Sequence, residues 1–201
     1  MNYFMYLINQ LSDYFNVKYT TKAEALSAVQ SDGFALEYMS NELQDDREVV
    51  LAAVNQNGES LKFVSDSLKN DREVVLAAVN QNGESLKFAS DNLKNDGKVV
   101  KAAIKESYTA LRYAGVELEH CSKVVMAAVK RDGRAIQYTS FRDRREVVMA
   151  AVSQNGEALN FVSDNLKNDR EVVLAAVKEN GYALEYASEE LRADIEVVLA
   201  A

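Results

Sequence analysis

The sequence predicts an all-α protein: an α-solenoid of about seven helix-turn-helix repeats behind an N-terminal capping helix. Three observations carry this prediction. The eighteen residues DREVVLAAVNQNGESLKF run from Asp46 to Phe63 and recur unchanged from Asp71 to Phe88, a period of 25. A Val-Val pair then keeps the register at Val49, Val74, Val99, Val124, Val147, Val172 and Val197, spaced by 25 except for 23 between Val124 and Val147. Helix punctuation also recurs at fixed places, with Asp ahead of the run, Glu in its first turn and Asn-Gly at its end. A fixed period of this length marks units that bury their apolar faces only by stacking on one another.

Residues 1–20 form the first element, an amphipathic capping helix, because Phe4, Leu7, Leu11, Tyr14 and Phe15 fall on one helical face. Asn9, Gln10 and Asp13 interrupt the apolar stretch, and no basic region precedes it, so neither a membrane span nor a signal peptide is expected. Residues 21–201 are the tandem two-helix array, opening with the divergent KAEALSAV and closing on a truncated last repeat.

Within each unit, DREVVLAAVNQNG reads as a short helix. Asp46 accepts from an early backbone N–H, Glu48 favours the positive end of the dipole, and Gly58 supplies a left-handed stop. The run Val-Val-Leu-Ala-Ala-Val is apolar all round, which predicts burial between neighbours. A buried strand is the alternative for such a run; the Ala pair and the acidic first turn favour helix. After Gly58, Leu61, Val64 and Leu68 lie on one face of a second helix, or of a helix plus a 3₁₀ turn, with Ser65 as cap of the turn that carries Leu68. The chain stops at Ala201, mid-way through an eighth first helix, so the array is expected to be part of a longer one or to pair at its open end.

Composition excludes several function classes. One Cys and one His leave no internal disulfide and no multi-His metal site. With 31 acidic against 23 basic residues the net charge is -8, which opposes broad binding to DNA, RNA or anionic membranes. No cofactor motif is present, since the glycines are isolated. His120 and Cys121 are adjacent, but they align with Asn70 and the Asp71 cap, so repeat divergence explains them better than a catalytic dyad. The repeated Glu48, Glu73, Glu146, Glu171 and Glu196 read as a solvated, dipole-compensating row and not as a calcium ladder.

One segment departs from the template. Net charge is -6 through Cys121, +4 from Ser122 to Glu146 and -6 beyond. Here Ser107-Tyr108 replaces Asn-Gly, which would strain a left-handed turn, and the loop TSFRDRREVV has lost two residues, putting Phe141 in the usual Leu seat. Lys130, Arg131, Arg134, Arg142, Arg144 and Arg145 crowd the loops of this unit and form the candidate partner-binding patch, suited to an acidic peptide, a phosphate or a nucleic-acid segment.

The pattern D-[RK]-E-V-V-L-A-A-V-x-x-N-G-x-[AS]-L-x-[FY]-[AV]-S-x-x-L resembles the domain-of-unknown-function repeat family 4116, most closely over Asp46–Leu68, Asp71–Leu93 and Asp169–Leu191. The resemblance implies tandem arrays, sometimes beside effector domains, with no catalytic residues assigned. The expected function is a non-enzymatic scaffold for protein–protein interaction, without cofactor or metal, compatible with a soluble protein in a reducing compartment. The alternative is a structural or oligomerisation module, with end-to-end self-association, in a larger effector-like protein whose activity lies elsewhere.

Overall fold

Each repeat is a ten-residue α-helix, a six-residue 3₁₀ helix and a short third turn. The computed structural model describes residues 18–201, in two compact units divided between Leu93 and Lys94. The first unit carries the long helices Lys22–Ser31, Arg47–Gln56 and Arg72–Gln81, followed by the 3₁₀ helices Gly33–Tyr38, Gly58–Phe63 and Gly83–Phe88. The second carries Gly97–Glu106, Ser122–Arg131, Arg145–Gln154 and Arg170–Glu179, with 3₁₀ helices Tyr108–Tyr113, Gly133–Tyr138, Gly156–Phe161 and Gly181–Tyr186, and ends on Ile195–Ala200. Among the described residues there is no β-strand, only an isolated bridge between Tyr19 and Met39. The chain is an all-α repeat solenoid. The capping helix expected over residues 1–20 lies outside the described residues, apart from Lys18, Tyr19 and Thr20.

The long helices start where the sequence places them. Asp46 Oδ1 accepts from the amides of Glu48 and Val49 at 3.0 and 3.2 Å, and Asp71, Asp96, Asp169 and Asp194 repeat the arrangement. Helices this short hold in water only through what they bury. Val49, Val50, Ala53 and Val54 are fully buried, as are their counterparts Val74, Val75, Ala78 and Val79, each valine contributing about 1.5–3 kcal/mol. Leu51 and Ala52 are only half-buried, so the helix is not enclosed on all sides. Its second, fifth, sixth and ninth positions form an outward face.

Where a second helix, or a helix plus a 3₁₀ turn, was expected, a 3₁₀ helix comes first and a single helical turn such as Asn41–Gln44 or Leu68–Asn70 follows it. Asn57 explains the change, because it is both the last cap of one helix and the first cap of the next: its amide bonds Ala53 O and its side chain accepts from Glu59 N at 3.0 Å. With φ at -147° it is extended, and none of the neighbouring glycines takes up the left-handed region. The expected left-handed stop is therefore absent, and Tyr108 meets no such strain behind Ser107, whose φ is -144°. Glycine serves close approach instead. A Cβ on Gly33 would stand 2.6 Å from Ala53 O of the next repeat, and one on Gly156 would stand 2.5 Å from Ala176 O. The bare amides are used too: Gly33 N–H donates to Gln56 Oε1 at 2.7 Å and Gly58 N–H to Gln81 Oε1 at 2.6 Å, with Gly133 to Gln154 and Gly156 to Glu179 alike.

The turn after the 3₁₀ helix seats a leucine. Ser65 Oγ accepts from Leu68 N at 3.4 Å, a long bond. In the shortened loop Phe141 takes this seat and is buried, which the sequence register anticipates.

Candidate functional site

The N-terminal rim of the long helices carries an ordered charge ladder. The first residue of one helix is a cation that reaches the cap Asp and second-position Glu of the next. Lys22 pairs with Asp46 at 2.9 Å and Glu48 at 2.8 Å, Arg47 with Asp71 and Glu73, Arg145 with Asp169 and Glu171, and Arg170 with Asp194 and Glu196. Of the acidic row expected to be merely solvated, Glu48, Glu73, Glu171 and Glu196 are thus also paired between repeats. These glutamates remain 66–83% exposed, so solvent screens each pair and the ladder chiefly sets register. The hydrogen bond from Lys22 holds Asp46 below the usual carboxylate range, and that from Arg145 does the same for Asp169.

Inside the second unit this chemistry reverses. The first positions are Gly97 and Ser122, which carry no charge, and the caps Cys121 and Arg144 make no side-chain cap bond. The second positions are Lys98 and Lys123 where Glu48, Glu73, Glu146, Glu171 and Glu196 stand in other repeats. Lysine also fills the fifth and ninth positions of Gly97–Glu106, as Lys101 and Lys105, and the ninth of Ser122–Arg131, as Lys130. All five lysines are exposed, and among the described residues none has a carboxylate at ion-pair distance.

The two helices pack side by side. Seven residues of helix separate the second position from the ninth by about 10.5 Å, and packed helices lie roughly 8–10 Å apart. The lysines therefore form two short rows across a pair of neighbouring helices. Beside them Lys123, Lys130 and Arg144 rim an open groove of about 510 Å3, with Met126, Ala127 and Val147 in its lining. The matching groove at Leu51 is spanned by Lys22 on its way to Asp46 and Glu48. Ser122 stands in the place of Lys22 and Arg144 in that of Asp46, so no cation bridges this groove, and Lys123, Lys130 and Arg144 outnumber the one acid in its lining, Glu146.

The six basic residues singled out by sequence divide in the structure. Arg145 belongs to the ladder. Arg134 holds Asp132 through two bonds at 3.1 and 2.7 Å and lies 5.4 Å from the Tyr108 ring centre. Burial works to raise the Asp132 pKa, but the Arg134 bonds prevail and keep it below normal, while burial raises that of Tyr108. Arg142 donates to Gln137 O, and Arg131 donates to Glu106 O at 3.0 Å, closing the junction where Tyr108 stands in the glycine position. Arg144 lies over the Phe141 ring at 4.1 Å and, with Lys130, faces the groove. Lys98, Lys101, Lys105 and Lys123 join them, and the signal for these four was present: lysines at the second, fifth and ninth helix positions, facing outward in two successive units.

His120 follows the short helix Val116–Glu119, and the half-exposed Cys121 precedes the next long helix. Among the described residues no group of three His, Cys, Asp or Glu side chains gathers in a form suited to a metal, and no helix is long and apolar enough to cross a membrane.

Stacked units of one long helix and one 3₁₀ helix, joined by caps, clasps and ion pairs at one-repeat spacing, define a helical tandem-repeat protein. The family model described as Domain of unknown function (DUF4116) matches residues 25–69, 71–119, 121–167, 144–192 and 169–201, and the chain belongs to that family. Each of the longer matches spans about two repeats, so a shift of one repeat produces overlapping matches in the second half. No curated protein and no solved structure matches the chain.

Proposed function

We propose that this chain is a non-enzymatic repeat scaffold that docks a protein partner through the partner's acidic side chains. The observation that carries the proposal is the lysine strip, Lys98, Lys101, Lys105, Lys123 and Lys130, without an ion-pair partner among the described residues, in a chain whose net charge is -8. Lysines at the second helix position oppose the macrodipole, where an acid would gain about 0.3–1 kcal/mol. A local rule broken in two successive repeats without structural return is the mark of a surface kept for binding.

The test is fluorescence anisotropy with a labelled glutamate-rich peptide, comparing the wild type with a Lys101→Glu/Lys105→Glu/Lys130→Glu variant. Saturable wild-type binding that weakens with salt and is lost in the variant is expected. A wild type that fails to bind, or a variant that binds equally well, sinks the proposal.

A further inference from the structure

We infer that the element the lysine strip receives is an acidic α-helix, laid along the axes of Gly97–Glu106 and Ser122–Arg131. The inference rests on reading the strip as a docking surface. Lys98, Lys101 and Lys105 stand at i, i+3 and i+7 of one helix, and Lys123 and Lys130 repeat the outer two positions on its neighbour. A ligand must then present carboxylates in two sets about 10.5 Å apart along one direction.

An incoming helix aligned with the strip meets this spacing with the same rise per residue, so acids at i, i+3 or i+4, and i+7 stay in step with the lysines along its length. A β-strand does not. Its same-face positions fall at about 6.6 and 13 Å, and its i, i+3 pair, near 10 Å, points to opposite faces. The surface between the lysines also suits a helix. Ala102 and Ala127 occupy the sixth positions and Met126 takes the place of Lys101, leaving a low strip with one adaptable side chain against which a helix can lie closely. Arg144, at the rim with Glu146 and with no carboxylate at ion-pair distance among the described residues, adds a cation where the incoming helix would place a further acid.

Nucleic acid and anionic membrane are the competing polyanions. The strip presents lysine with no aromatic side chain and with the half-buried Met126 as its one large apolar side chain among its contact positions, which gives bases nothing to stack on and lipid little to take up.

Calorimetric titration of the full chain tests the inference with three peptides of one length. The first carries Glu at i, i+3 and i+7 on one helical face, the second has the same composition with its acids redistributed around the helix, and the third is the first with a central proline. The first peptide is expected to bind at least about tenfold more tightly than either of the others and to gain helicity on binding. A Lys98→Glu/Lys123→Glu variant, shown folded by its melting curve, is expected to lose that preference, and Lys98→Arg/Lys123→Arg to keep it. Equal binding of all three peptides overturns the helix inference and leaves acidic docking standing. No binding of any peptide removes both. Displacement of the first peptide by a DNA duplex or by phosphatidylserine vesicles at equal anion concentration overturns the choice of ligand.

Discussion

The same substitution, Gly→Ala, is expected to have opposite signs at two positions of the second unit. At Gly156 the new Cβ would stand 2.5 Å from Ala176 O and 3.0 Å from both Asn180 Cβ and Glu179 Oε2, all on the next repeat. To reach an ordinary contact near 3.4 Å, the two repeats must separate by about 0.9 Å at this point, a gap that forfeits a quarter to a half of the local dispersion attraction. Overpacking of this kind costs about 1–3 kcal/mol, and weakening the bond from Gly156 N–H to Glu179 adds roughly 1 kcal/mol. A loss of about 2–4 kcal/mol follows, on the order of 10 °C for a chain of this size. At Gly97 the Cβ meets nothing within 4 Å, and the residue begins a helix, so Gly97→Ala is expected to stabilise by about 0.4–1 kcal/mol. Thermal and urea denaturation followed by circular dichroism measure both. A Gly156→Ala protein as stable as the wild type would refute the close-approach account of the repeat glycines.

Further outcomes are expected from the same structure. Ser60 and Ser85 bury hydroxyls without a hydrogen-bond partner where other repeats have Ala35, Ala110, Ala135, Ala158 and Ala183, so Ser60→Ala and Ser85→Ala should each raise stability by about 1 kcal/mol in urea titrations; a loss would show that the hydroxyls are satisfied. Lys123→Glu should raise the melting temperature at low salt by the equivalent of roughly 0.5 kcal/mol or more while weakening acidic-peptide binding, and a gain in both would break the link between the two. The ladder acids Asp46 and Asp169 have depressed pKa values, so their contribution is present above the unfolded value, about 3.9, and is lost as pH falls through the lower folded value. Melting temperatures taken from pH 6 downward should therefore decline below about pH 4, and a flat profile there would deny these pairs any role.

How much of this was legible depended on how far each cause lies along the chain. The Asp46 cap and the Leu61 core seat were readable because a cap acts within three residues and the seat recurs at fixed spacing. The purpose of Gly33 was not, since the demand comes from Ala53 O and Gln56, twenty or more residues away, and a glycine after a helix looks the same whether it serves torsion or proximity. The ladder could have been found by asking what lies 24 and 26 residues after each basic first position, which yields Asp71 and Glu73 for Arg47 and Asp169 and Glu171 for Arg145. Counting charge by contiguous segment joined Arg134 and Arg145, which are already paired, to Lys130, and separated Lys130 from Lys98, Lys101 and Lys105 on the adjoining face.

The ladder also bears on how such an array grows. A unit such as Asp46–Asn70 carries a donor at the start of its helix and receives its predecessor's donor on its own cap acid, so a duplicated copy inserted beside it brings a matching half for both new joints. Lengthening by gene duplication therefore costs no redesign where the template is intact, and the identical run shared by Asp46–Phe63 and Asp71–Phe88 has the form such an event leaves. The repeats beginning at Gly97 and Ser122 lack the donor, and Cys121 and Arg144 lack the acceptor. A copy of any of these units placed elsewhere would leave a neighbouring Asp or Arg without its counterpart, so the units beginning at Gly97, Ser122 and Arg145 are tied to their place in the order while those that carry both halves are interchangeable.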